Sequence, residues 1–414
     1  MSKLNPKTPH NMTGLVLTAG GARGAYQAGV LKRVSEIPAF MGKPSPFKII
    51  TGASAGAING ATIASHSADF IAGTKLLVRL WSNLDATQVF RSDSTSLVHT
   101  GIQAVLDFAL GGLVGAGRLE SLLDASPLRH LLENSLDFAG IDQSIQSGHL
   151  YALGVTATGY HSGKAFTFVQ GQPGHALWNK SRRVALRTHL TIDHVLASAA
   201  IPLVFPPVAL KTGDSVAYFG DGAMRLTTPL SPAIRLGAER IFAISVRCQE
   251  SANSLLRSEL STHDDYVTQL QRPPLSQICG TLMNAIFLDH LDADVDHLNR
   301  MNNFVTAYQE LEKKLPTEQQ ELHEPMRVVK PLVIAPSADI AIIAKTLEHR
   351  MPRSIRYLME GLGQPDAQSA DLMSFLLFDS AFTRELIQLG YHDAGLRIDE
   401  IEHFLFEHSK DSNH

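Results

Sequence analysis

The spacing of apolar positions changes along the chain, and the change divides it. As far as Val246, short unbroken apolar runs alternate with stretches of helical period. Gly14-Leu15-Val16-Leu17-Thr18 predicts a strand buried on both faces, because no polar position interrupts the run. A glycine-rich turn follows, then a helix over residues 25–37. Lys48-Ile49-Ile50-Thr51-Gly52 predicts a second strand that leads straight into a helix of small residues from Ala55. Residues 150–158 and 164–169 predict two strands joined by a turn at 159–163. Ala217-Tyr218-Phe219 runs into Gly220-Asp221-Gly222, and residues 240–246 form another buried run. Strands alternating with helices predict an α/β fold with a mostly parallel sheet covered on both faces.

Beyond Gln249 the strand signals thin. Residues 282–314 predict one long helix or two, and residues 338–350, 354–361 and 369–389 predict further helices. Pro331-Leu332-Val333-Ile334-Ala335-Pro336 is the one convincing later strand. The pattern therefore separates an α/β part at 13–249 from a helical C-terminal part at 250–406, which either stands apart or packs on the same sheet. The polar ends, 1–12 and 407–414, are expected to be disordered.

Composition narrows the function classes. Of 414 residues 44% are hydrophobic and 18% charged, enough to bury a sizeable core. The net charge of −4, from 36 basic and 40 acidic residues, gives no argument for nucleic acid or for general attraction to an anionic membrane, and no nucleic-acid partner is expected. Two cysteines, Cys248 and Cys279, exclude a disulfide scaffold and a CxxC metal site. Residues 1–12 lack the apolar core of a signal peptide. The most apolar stretch, 97–117, is broken by His99, Gln103 and Asp107, so it does not predict a membrane-spanning helix. These features predict a cytoplasmic protein, either free or peripheral at the membrane surface.

Two turns carry candidate chemistry. The first is Thr18-Ala19-Gly20-Gly21-Ala22-Arg23-Gly24, between a strand and a helix, where glycines let backbone N–H groups face an anion. A nucleotide phosphate, a pyrophosphate and the oxyanion of an acyl transition state all fit that description; a plain tight turn is the bland alternative. The dinucleotide pattern G-x-G-x-x-G lacks its first glycine here, and no Gly-Lys-Ser/Thr completes a P-loop. The second turn is Gly52-Ala53-Ser54-Ala55-Gly56, a G-x-S-x-G between a β-branched strand and a helix containing Gly60, Ala61 and Ala64. A sharp elbow of this kind pushes a serine hydroxyl out at the top of a sheet as a nucleophile. The bland reading is a serine helix cap.

A nucleophilic serine needs a base. None of the 18 histidines sits in a comparable turn. His161, His175, His189 and His194 lie in polar or helical settings, and His263 and His290 in an acidic helical region. Against them stands Asp221, between Gly220 and Gly222 at the end of a strand, where partial burial would suit a carboxylate to act as base. An ordinary Asp-Gly turn is the alternative.

Together these residues resemble the patatin-like phospholipase family. Its blocks correspond to Gly20-Gly21-Ala22-Arg23-Gly24, Gly52-Ala53-Ser54-Ala55-Gly56, Ala197-Ser198-Ala199-Ala200-Ile201-Pro202 and Asp221-Gly222-Ala223, in that order. The match covers residues 14–246. Looser similarity to bacterial members continues to Ala394, through residues 121–128 and Phe375-Leu376-Leu377-Phe378-Asp379. One departure is Ala19, where the family usually has glycine. The resemblance implies a three-layer α/β/α patatin-like fold with additional C-terminal helices. It implies a lipid acyl hydrolase in which Ser54 is nucleophile, Asp221 base and the Gly20–Gly24 amides an oxyanion hole. Arg23 would sit beside that hole, holding the loop or the developing charge. No metal or other cofactor is implied, and the partner is a lipid or acyl-ester substrate; peripheral contact with a membrane is compatible with such a substrate but not required by it. An acyltransferase or thioesterase using the same dyad is the nearest alternative, and a non-catalytic nucleotide- or lipid-binding protein a further one.

Three lesser features have bland readings. Residues 97–123, rich in Leu, Ala and Gly, suit a lid or a docking patch, or else a helix packed on the core. Arg182, Arg183 and Arg187 suit a lipid phosphate or a solvated face. Asp289, His290, Asp292, Asp294, Asp296 and His297 resemble a metal-ligand cluster, but on a helix they point several ways, so no single face gathers them all.

Overall fold

Strand β1 (Thr13–Leu17) is buried along its length and feeds two cores: Leu15 and Leu17 enter one, Val16 the other. The same division recurs in β8 (Arg240–Ile244), where Phe242 and Ile244 enter the first core and Ile241 and Ala243 the second. This is what unbroken apolar runs require of a sheet covered on both faces. The computed structural model describes residues 11–91, 123–213, 215–248, 275–287, 290–312, 327–352, 356 and 370–406. The expectations for residues 1–10, 97–122, 250–274 and 407–414, for most of 354–361, and for His263 and Asp289 lie outside them.

Among the described residues the sheet has nine strands. Its main path adds β2 (Phe47–Ala53), β3 (Ala152–Gly159), β4 (Lys164–Gly171), β5 (Arg183–Arg187) and β9 (Lys330–Ile334), in the order β5-β4-β3-β2-β1-β8-β9. All neighbours on this path run parallel except the β3–β4 hairpin, which closes at Gly159↔Lys164. The hairpin β6 (Val208–Thr212) and β7 (Ser215–Gly220) attaches to the end of β3 through Thr158↔Gly220 and Gly159↔Phe219.

One face carries α1 (Ala25–Ser35), α2 (Ala55–Ser65) and α3 (Phe70–Ser82). Two short helices, α4 (Ser126–Ser135) and α5 (Phe138–Gln146), and then α6 (Ile192–Ser198), pack on the same core. The other face is covered by α7 (Ser231–Leu236), and by Leu291 and Leu298 of the longer helix His290–Glu312. The fold is a three-layer α/β/α arrangement.

The later chain joins the same sheet and core. Helices α8 (Leu275–Phe287) and α9 (His290–Glu312) are separate. Strand β9 extends the sheet beside β8, and α10 (Ile340–Thr346), α11 (Ala370–Leu376), α12 (Ser380–Leu396) and α13 (Ile398–Phe406) follow. The stretch 369–389, expected as one helix, is two. Asp379 restarts the chain by accepting the Ala381 N–H at 2.9 Å, as an N-cap does. Helix α12 lies directly on α1. A Cβ on Gly29 would fall 2.0 Å from the Ile387 carbonyl oxygen, and one on Gly390 2.2 Å from that of Tyr26. Backbone cannot yield as a side chain does, so Gly390→Ala should cost about 1–3 kcal/mol of stability in denaturant unfolding. An unchanged unfolding midpoint would show that the two helices part freely.

No apolar pattern predicts strand β5, and the three arginines around it suit a lipid phosphate or a solvated face. In the fold Arg183 and Arg187 sit on the edge strand, where Arg183 bonds the Thr228 hydroxyl and Arg187 Nε meets His175 Nε2 at 3.2 Å.

Candidate active site

Ser54 is the one residue between β2 and α2, with φ 55° and ψ −128°. That left-handed φ costs a non-glycine residue on the order of 1–3 kcal/mol. The turn is enforced by close packing. A Cβ at Gly52 would lie 2.2 Å from the Gly56 carbonyl oxygen, and one at Gly56 2.2 Å from that of Leu17. Ser198, at the end of α6, clamps the strained residue: its hydroxyl accepts the Ser54 N–H at 3.0 Å and donates to the Thr156 carbonyl at 2.6 Å. The sequence motif Ala197–Pro202 thus supports the elbow, a role that pattern reading did not assign.

Strand register brings Asp221 to the same place. Ala53 pairs with Thr156, and two residues further along β3 Thr158 pairs with Gly220. Ser54 and Asp221 are the next residues after Ala53 and Gly220, so both leave the sheet at one edge. Asp221 is held on three sides. Its N–H donates to the Ala200 carbonyl at 2.9 Å, its carbonyl accepts the Thr158 hydroxyl at 2.8 Å, and Oδ1 accepts the Ala223 N–H at 2.9 Å. Gly222 is required beside it, since a Cβ there would meet the Thr156 carbonyl oxygen at 2.0 Å. The carboxyl is fully buried and Oδ2 has no hydrogen-bond partner. Burial raises its pKa to about 7; the adjacent Ser54 hydroxyl and the Ala223 amide favour the charged form and oppose the rise.

The glycine-rich loop lies across the elbow. Residues Gly21–Gly24 form a 3-10 turn running into α1. Gly21 has φ +54°, and a Cβ on it would strike the Phe375 carbonyl oxygen at 2.4 Å. Gly24 abuts Ala55, the residue after the serine, and a Cβ there would fall 2.6 Å from that of Ala55. The Arg23 N–H is taken by the Gly20 carbonyl at 3.1 Å, which leaves the Gly21 and Ala22 amides at the open end of the turn. Ala19 has no positive φ, so alanine fits at that position without strain.

A buried polar network fastens this loop from below. Asn59 Nδ2 donates to the Gly24 carbonyl at 3.0 Å and to Gln27 Oε1 at 2.8 Å, while Asn59 Oδ1 accepts Trp81 Nε1 at 2.8 Å. Gln27 Nε2 donates to the Thr18 carbonyl at 2.8 Å. Sequence reading missed these residues. Asn59, a lone amide in a helix of small apolar residues, was the available signal.

The histidines are elsewhere. His175 and His194 are buried, and burial lowers both pKa values. His194 bonds the Thr191 hydroxyl and packs its ring on Phe168. His189 faces Asp142 at the surface, and His161 lies near Tyr218. His290 lines a separate cavity behind Ala223. Among the described residues, none of them hydrogen-bonds Ser54. Of the acidic cluster, Asp294 is buried and accepts the Leu230 N–H at 2.8 Å, which docks α9.

An apolar cavity opens at Ser54, lined by Ile58, Trp81, Leu132, Ile201, Phe205 and Phe378 among others. Its walls suit a hydrocarbon chain and offer little to a polar ligand.

A family model described as patatin-like phospholipase matches residues 15–234. No curated protein matches the chain. Among solved structures, VipD from Legionella pneumophila aligns over 92% of this chain and 67% of its own, at 13% identity and a TM-score of 0.32. Human GIVD cytosolic phospholipase A2, in complex with methyl gamma-linolenyl fluorophosphonate, aligns over 95% of this chain and 59% of its own, at 11% identity and a TM-score of 0.40. The ExoU–SpcU complex of Pseudomonas aeruginosa aligns over 88% of this chain and 74% of the other, at 15% identity and a TM-score of 0.23.

Proposed function

The chain belongs to the patatin-like phospholipase family, and from that premise we propose that it is a serine lipid acyl hydrolase working through Ser54 and Asp221. The observation that carries the reading is the pairing itself: a strained serine and a fully buried carboxyl with one unpartnered oxygen, at one sheet edge beside an apolar cavity.

Ser54 Oγ attacks the ester carbonyl as its proton passes to Asp221. The carbonyl π electrons move to oxygen, and the Gly21 and Ala22 amides stabilise the resulting oxyanion, at roughly 3–4 kcal/mol per well-placed donor. Collapse expels the alcohol, which takes the proton from Asp221, and leaves an acyl-Ser54 ester. Water then attacks that ester with Asp221 as base, releasing the fatty acid and restoring the serine hydroxyl. An aspartate pKa near 7 suits both proton transfers at neutral pH. The acyl chain would occupy the cavity between α2, α3 and α4.

Among the described residues, no helix is long and apolar enough to cross a membrane. Lipid would be met at a surface, and Leu203 is suited to that contact. It is 80% exposed with φ 67°, on the loop between the cavity-lining residues Ile201 and Phe205. Leu203→Ser should lower hydrolysis of aggregated lipid about tenfold, the partition energy of one leucine side chain, and spare a short soluble ester. Equal loss on both substrates would count against surface insertion.

The reading as a whole is tested by incubating the protein with a fluorophosphonate and locating the adduct. Modification of Ser54 is expected, since an unactivated serine does not react; absence of any adduct would remove the enzyme reading. Product analysis on phospholipid, lysophospholipid, neutral glyceride and acyl-CoA separates hydrolysis from acyl transfer and thioester cleavage.

A further inference from the structure

The glycine-rich loop is held from above by a part of the chain about 350 residues away in sequence, beyond the 15–234 family match. Arg23 is only 3% exposed. Its Nε donates to the Ser374 hydroxyl at 2.7 Å, and its Nη2 pairs with Asp371 Oδ1 at 2.9 Å. The guanidinium lies 4.5 Å from the centre of the Phe375 ring. Ser374 is itself fixed, donating to the Asp371 carbonyl at 2.6 Å. The same short helix presses on the loop backbone, since the Phe375 carbonyl occupies the space a Cβ on Gly21 would need. Phe378, just past that helix, lines the cavity at Ser54.

We propose that Asp371 and Ser374 are positioning residues of the active site, holding Arg23 and through it the Gly21 and Ala22 amides at the spacing from Ser54 that the oxyanion requires. This rests on the serine-hydrolase reading above. Arg23 belongs to the loop that carries the two donors, so its side chain cannot move far without moving them. A buried guanidinium stripped of its carboxylate is costly. Without Asp371 the loop relaxes until Arg23 finds water, and the donors move with it. The ground-state ester is bound mainly by its acyl chain, so the damage falls on the transition state.

The test compares Asp371→Ala, Ser374→Ala and Asp371→Glu on a short soluble ester, with thermal unfolding recorded for each. Removing either positioning side chain should lower kcat about tenfold, with KM held within about twofold, as expected when donors shift by a fraction of an ångström. Phosphonylation of Ser54 should slow by the same factor, because its transition state uses the same donors. Asp371→Glu should recover most of the loss. Asp371 is 34% exposed, so its variants carry the test if Ser374→Ala does not fold. A kcat within about twofold of the parent in the alanine variants would overturn the proposal, as would a loss confined to KM or a glutamate variant as impaired as the alanine one. A parent protein that neither turns over ester nor reacts with the fluorophosphonate overturns the hydrolase reading itself, and the positioning role with it.

Discussion

Replacing Ser54 with alanine should abolish ester hydrolysis and covalent labelling while leaving the protein folded. Loss of a serine nucleophile costs on the order of 10⁴–10⁶ in kcat. The fold should survive because the hydroxyl makes no helix-capping bond. The elbow is built from backbone packing at Gly52 and Gly56 and from the Ser198 clamp on the Ser54 N–H. Alanine meets the same left-handed φ as serine, so the strain is unchanged. Purified Ser54→Ala that unfolds like the parent but keeps more than about a hundredth of its turnover would show that another residue is the nucleophile.

Asp221→Asn should lower kcat about 10²–10⁴-fold, because the amide keeps the shape and the bond from the Ala223 N–H but cannot accept a proton. The pH dependence follows from the raised pKa. Catalysis needs the carboxylate, so kcat/KM of the parent should climb as pH rises through about 7 and fall away below it. That limb overlaps the range of a free imidazole, near 6.5, so pH alone does not separate an aspartate base from a histidine. Substitution does. His161, His175, His189, His194, His263 and His290, changed singly to Gln, should each retain activity. A folded histidine variant as inactive as Ser54→Ala, beside an active Asp221→Asn, would replace the dyad with a Ser–His mechanism.

Stability should move the opposite way. A folded-state pKa of about 7 lies above the ordinary value of 3.8, so the native state binds the extra proton between the two. The associated stability is fully present below about pH 4 and is lost as pH rises through about 7. Above that, the parent carries a buried charge that Asp221→Asn lacks. The variant should therefore melt higher than the parent at pH 8, with the difference closing toward pH 4. A lower Tm for the variant at pH 8 would mean that the charge is better solvated than its burial implies.

The sequence alone determined the strands with unbroken apolar runs, because a strand covered on both faces has no polar position to confuse its period; β1, β2 and β8 lie where that pattern put them. It also located the two turns around Ser54 and Gly20–Gly24 and the loop at Asp221, because close backbone approach admits only glycine and leaves that residue visible in the chain. Beyond that, local pattern had nothing to read. Strand β5 carries arginines at an edge, where exposure hides its period. The break at Asp379 depends on one cap against otherwise continuous helical spacing. That Ser54 and Asp221 meet follows from the registers of β2, β3 and β7, which long-range pairing sets. The burial that raises the Asp221 pKa exists only once both layers have closed over it. Asp371 and Ser374 reach Arg23 because β9 extends the sheet and the later helices fold back over the loop. Nothing in the local sequence of either segment encodes that contact, since its partners are distant along the chain and adjacent only in the packed fold.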